Sequence, residues 1–230
     1  TFSSFNAYIQ RAIIDNWDQD ALTDYEGATL QFHDVARKIE KLHILFENCN
    51  VKKGDKIAIC GRNSANWAVA FLATLTYGAV AVPILHEFNG EQIHNIVNHS
   101  ESKLLFIGDY AVKTINPDEM PALEGIINIP DFSLMTSRSE QLTYAREHLI
   151  MMFGSKYPMA FRREHVSYHQ DDAEELALIN YTSGTTGFSK GVMLPYRAIW
   201  SNIEFIISRL GKKVKPGDNL LSILPMAHMY

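Results

Sequence analysis

The chemistry of this chain is concentrated in one stretch, Tyr181 to Val192, which reads Tyr-Thr-Ser-Gly-Thr-Thr-Gly-Phe-Ser-Lys-Gly-Val. Thr182, Ser183, Gly184, Thr185, Thr186 and Gly187 precede Lys190 and Gly191, and the apolar run Leu176–Ile179 leads into them. Glycine lets consecutive backbone N–H groups converge on an anion with no Cβ in the way. The hydroxyls add rotatable donors, and Lys190 adds a compact, mobile positive charge. Such a loop suits a polyphosphate. It is not the common P-loop, which needs a lysine directly after its last glycine and a helix directly after the lysine. Here Lys190 lies three residues after Gly187, and Val192–Leu194 reads as a strand, so the loop joins two strands.

The elements that must position this loop follow from the rest of the pattern. At 230 residues the chain is long for one ordinary domain, taken as about 150 residues, and its 47% apolar content can fill a core. The net charge of −5 and the scattered basic residues exclude a nucleic-acid footprint. Cys49 and Cys60 have no C-x-x-C spacing, so they read as small core residues in a reducing, cytoplasmic setting. No basic, apolar leader opens the sequence. The uncharged run Trp67–Leu85 is nearly long enough to span a bilayer, but Gly78 and Pro83 divide it into an alanine-rich helix and a β-branched strand.

In order, the periodicity predicts a helix over 4–17, a hairpin from 21–25 and 28–32, and a helix from His33 to Cys49. Strands at 56–60, 79–83, 104–107 and 125–129 then alternate with helices at 65–77 and 91–99. A helix over 138–153 with Leu142, Ala145, Leu149 and Met152 inward, an irregular polar loop over 156–172, a helix over 197–209 and a strand over 219–224 complete the reading. The expected fold class is α/β, a mostly parallel sheet with helices on both faces.

The signature loop resembles the phosphate-binding motif of the adenylate-forming superfamily, which includes acyl-CoA synthetases, luciferases and peptide-synthetase adenylation domains. That family usually has proline where this chain has Ser189. Three more blocks are similar to the same family: Leu30–Phe32 with Val51–Ile59, Tyr77–Pro83, and Leu224–Tyr230, the last resembling the motif of long-chain fatty acid–CoA ligases. The resemblance implies ATP, Mg²⁺ and coenzyme A as ligands and a fatty acid as substrate. It places Thr182, Ser183, Gly184, Thr185, Thr186, Gly187 and Lys190 on the phosphates, Thr182 near Mg²⁺, and His228 at the junction of nucleotide and acyl carboxylate.

The family's later motifs, including its C-terminal catalytic lysine, find no match here, so the expectation is an N-terminal fragment, inactive alone. Its parts would be residues 1–50 of an incomplete second subdomain, a complete subdomain over 51–210, and a truncated return over 211–230. Ile13, Leu22, Leu220, Leu221 and Ile223 would then be partly without partners, which favours a homodimer or mobile ends. A lipid substrate adds the expectation of peripheral contact at the inner membrane face. The alternatives are a ligase for a shorter or aromatic acid, or a nucleotide-binding module without turnover. His165 and His169 have i, i+4 spacing but no helix to present it, so no metal site is expected; Asp171, Asp172, Glu174 and Glu175 read as a solvated edge or helix cap.

Overall fold

In a computed structural model, which describes residues 4–108, 110–182 and 190–228, the centre is built from strands that carry almost no polar side chains. The strands β3 (Lys56–Cys60), β4 (Val80–Ile84) and β5 (Leu104–Ile107) are buried nearly throughout. Side chains alternate between sheet faces, so an apolar residue at every position demands a helical layer on each face. Accordingly Ile57 and Ile59 join one core cluster, and Ala58 and Cys60 join another on the opposite face.

The sheet has the order β7-β6-β5-β3-β4-β8-β9. β6 (Gly125–Asn128) and β8 (Leu176–Thr182) extend the parallel set, while β7 (Leu134–Ser137) and β9 (Lys190–Pro195) pair antiparallel at the two edges. A separate two-stranded antiparallel sheet, β1 (Asp20–Thr23) with β2 (Thr29–Gln31), is the expected hairpin. On one face lie α1 (Phe5–Asp15), α2 (Phe32–Asn48), α3 (Ala65–Tyr77), α6 (Glu140–Glu147), α7 (Leu149–Lys156) and α8 (Tyr196–Leu210). On the other lie α4 (Gly90–Ser100) and the short α5 (Ala111–Thr114).

The uncharged run resolves as expected. Ser64 caps α3 by accepting from Trp67 N–H, and Gly78 ends it at φ 90°, a conformation that costs glycine little. β4 begins two residues later, and among the described residues no helix is long and apolar enough to cross a membrane. Asp171 is also a cap: its carboxylate accepts from Ser4 Oγ, Phe5 N–H and Asn6 N–H at 2.6–3.1 Å and joins the start of α1 to the entrance of β8.

Three expectations fail. The helix over 138–153 is two helices that meet at His148, although Leu142, Ala145 and Leu149 face inward as expected. The segment 156–172 is not simply a polar loop, because Phe161, Val166 and Tyr168 are buried in the core. Residues 219–224 form no strand, and Leu220, Leu221 and Ile223 project into solvent; Ile13, in contrast, is buried against the sheet's helical cover.

His43 is a buried member of that cover. Its Nε2 lies 3.1 Å from Ala73 O and 3.0 Å from Thr76 Oγ1, so the neutral tautomer carries its proton on Nε2 and donates it. Burial pushes its pKa down to about 4 from 6.5. Because the unfolded chain takes up this proton first, stability falls as pH drops from 6.5 toward 4 and this contribution levels off below that. The size of the effect is about 3 kcal/mol for this group. Urea unfolding across pH 7 to 4 is expected to show that loss in the wild type and a shallower pH slope in His43→Gln; equal slopes would contradict it.

Candidate active site at the carboxyl edge of the sheet

The hydrogen-bond register sets out the site. In the antiparallel pair β8–β9, Thr182 faces Lys190 and Tyr181 faces Gly191, so both ends of the signature loop are held side by side. Ser183, Gly184, Thr185, Thr186 and Gly187 lie outside the described residues. Thr182 and Lys190 are exposed; among the described residues the Thr182 hydroxyl makes no side-chain hydrogen bond and Lys190 no ion pair. A hydroxyl and an ammonium group thus stand exposed side by side at the carboxyl end of β8. The crevice beyond the carboxyl ends of parallel strands is where open α/β sheets bind ligands.

Packing stiffens the base of this hairpin. Tyr181 is buried, its hydroxyl lies 2.8 Å from His99 Nδ1 on α4, and burial pushes its phenol pKa up. Its ring lies over Gly191, where an added Cβ would sit 3.0 Å from both Tyr181 Cζ and Ile179 Cγ2. Gly191 is thus needed for close approach, one residue from Lys190.

His228 reaches the same edge by another route. Asn63 follows the carboxyl end of β3, which is two strands from β8 through β4, a separation of about 10 Å. Asn63 Nδ2 donates to Leu224 O at 2.7 Å, and Met226 N–H donates to Asn63 Oδ1 at 2.7 Å. Ala227 is buried, the His228 N–H donates to Pro225 O at 3.0 Å, and His228 itself is exposed. Thr182, Lys190 and the turn carrying His228 therefore share one edge of the sheet. Asn63 was not singled out in the sequence: a lone asparagine before a helix cap carries no local sign of a contact 161 residues away.

Of the other histidines and acidic residues singled out by spacing, His165, His169, Asp171, Glu174 and Glu175 have hydrogen-bond partners. His169 Nε2 lies 2.7 Å from Glu175 Oε1, and His165 Nδ1 accepts from Arg162 N–H. Arg197 hydrogen-bonds to Glu174 and holds its carboxyl below the usual range. Burial pushes the Cys49 thiol up to about 11, which keeps it protonated at neutral pH. Among the described residues no cluster of three or more His, Cys, Asp or Glu could hold a metal ion.

The family profile described as AMP-binding enzyme matches residues 10–230. The chain belongs to that family. Over 202 residues the chain is 24% identical to long chain acyl-CoA synthetase 3 of Arabidopsis thaliana, a match covering 86% of the chain and 30% of the relative. It is 26% identical over 221 residues to probable 4-coumarate–CoA ligase 1 of Dictyostelium discoideum, covering 92% of the chain and 38% of the relative. A crystal structure of a long-chain-fatty-acid-CoA ligase from Archaeoglobus fulgidus matches its fold with a TM-score of 0.75 at 20% identity, over 98% of this chain and 42% of that one. The chain thus spans 30–38% of the length of these two curated relatives.

Gly191→Ala is expected to lower unfolding stability by about 1–3 kcal/mol through overpacking against Tyr181. Gly154→Ala in α7, where nothing lies within 4 Å of the added Cβ, should instead be neutral or stabilising by up to about 1 kcal/mol. Paired urea titrations compare them, and equal effects would contradict the close approach at Gly191.

Proposed function

We propose that this chain supplies the N-terminal, phosphate-binding part of a long-chain fatty acid–CoA ligase. The observation that carries the reading is the β8–β9 hairpin, which presents Thr182 and Lys190 together at the carboxyl edge beside the turn of His228. In the proposed reaction a fatty carboxylate attacks the α-phosphate of ATP, pyrophosphate leaves, and coenzyme A thiolate then displaces AMP from the acyl-adenylate. Adenylation gives the carboxylate a competent leaving group, AMP.

The residues act by holding charge and geometry. Lys190 would neutralise the β- and γ-phosphates, and Thr182 with the loop residues Ser183, Gly184, Thr185, Thr186 and Gly187 would orient them. Mg²⁺ would arrive with the nucleotide, held mainly by phosphate oxygens and water, with the Thr182 hydroxyl as the protein oxygen beside it. His228 would orient the reacting carboxylate as an imidazole donor.

Further chain would complete the protein: residues 51–210 would form one full subdomain, and 1–50 with 211–230 would contribute to a second. Leu220, Leu221, Ile223 and Leu224, all at least 75% exposed, favour such cover or, in its absence, homodimer formation. Peripheral contact with the inner membrane face follows only from the lipid substrate. A second reading, a ligase for an aromatic acid, has support from the match to the 4-coumarate–CoA ligase.

ATP–pyrophosphate exchange and CoA thioester formation on the longest gene product containing these residues test the proposal. The expected result is activity greatest with long-chain acids, and a loss of at least about a hundredfold in Lys190→Ala, the scale of one lost electrostatic contact to a transition state. Activity confined to aromatic acids would support the second reading, and ATP binding without exchange would support a non-catalytic module.

A further inference from the structure

Residues 219–228 contain no regular element, their leucines at 220, 221 and 224 face solvent, and yet Ala227 is buried in the main core cluster. Something must set the path of this backbone, and Asn63 is the residue placed to do it. Its side chain pairs with the backbone on both sides of Pro225, donating to Leu224 O and accepting from Met226 N–H, both at 2.7 Å. A third contact reaches Ser222 Oγ at 3.3 Å. Proline offers no N–H of its own, so an amide side chain that bridges the flanking carbonyl and N–H replaces the ladder a strand would supply there.

The platform beneath Asn63 is rigid. Asn63 lies three residues beyond the end of β3 and directly before Ser64, which caps α3, and Ala65 N–H donates to Asp24 Oδ1 at 2.8 Å. From Met226 the chain turns once, closed by the His228 N–H to Pro225 O bond, and places His228 two residues beyond the tether.

We propose that Asn63 is a positioning residue: its two-sided grip on the backbone around Pro225 fixes residues 224–228 and thereby sets the location of His228 at the carboxyl edge. The consequence for turnover rests on the ligase reading above; the tether itself does not.

The experiment uses the longest gene product containing these residues, as wild type and as Asn63→Ala, Asn63→Asp and Ser222→Ala, each checked for a cooperative melt. Hydrogen exchange followed by mass spectrometry reads the amides of 222–228, and adenylation kinetics read kcat and the KM for ATP. Asn63→Ala is expected to speed exchange at Met226 and His228 about tenfold or more, the scale of a lost hydrogen bond or two. It should also lower kcat about tenfold while the KM for ATP stays within twofold, since Lys190 and Thr182 are untouched.

Asn63→Asp, which keeps the acceptor for Met226 N–H and loses the donor to Leu224 O, should fall between the two and so provide partial rescue. Ser222→Ala should stay within twofold of wild type in both readouts. Unchanged exchange at 224–228 in Asn63→Ala would overturn the tether, and faster exchange with unchanged kcat would overturn its role in placing His228. A wild type without adenylation activity would instead count against the ligase reading, and the exchange arm would still decide the tether.

Discussion

The structure depends on the burial of β3, β4 and β5 on both faces. Backbone groups at that depth have no water to turn to, so each must find a ladder partner, and the apolar side chains above and below require helical cover. α2, α3 and α7 supply it on one side and α4 on the other. Once the parallel strands are fixed, so is the edge where their carboxyl ends emerge, and the candidate site residues Thr182 and Lys190 lie at that edge. Thr182 at the end of β8, Lys190 at the start of β9 and Asn63 after β3 owe their positions to the buried sheet that these strands share.

The two routes to that edge differ in kind. The first is a hairpin whose register places Thr182 opposite Lys190, held at its base by the Tyr181 ring over Gly191 and by the Tyr181–His99 hydrogen bond. The second is an irregular segment whose described anchors include the Asn63 amide, the buried Ala227 and the half-buried Met226. Ladder pairing gives the first its precision; the second depends on a few polar contacts, each worth about 1 kcal/mol. The two segments that meet the candidate site are therefore held by different kinds of contact.

Much of the framework could be read from the sequence because its signals are local. Gly78 marks the boundary between α3 and β4, and the expected bounds of β3, α3 and β5 coincide with those in the structure. The hydroxyl- and glycine-rich stretch stood out by its composition alone. What escaped depends on partners distant in sequence. β7, Leu-Met-Thr-Ser, has little apolar alternation and exists because β6 offers an open edge. Residues 219–224 have strand-like composition and form none, because strand propensity is realised only against a neighbouring strand. The capping role of Asp171 was half-legible, since its acidic cluster suggested a cap while its helix lies over 160 residues away in sequence. Asn63 was not legible at all.

The central claim is that the β8–β9 hairpin holds the polyphosphate of ATP. The most direct measurement is a ¹⁵N-resolved NMR titration of this chain with Mg·ATP, with AMP and pyrophosphate as separate arms. The account predicts that the amides of Thr182, Lys190 and Gly191 shift with saturable dependence on ATP and on pyrophosphate, that AMP moves them less, and that Lys190→Ala weakens the response. Saturable shifts clustered elsewhere, or none at the hairpin at millimolar ATP, would contradict it.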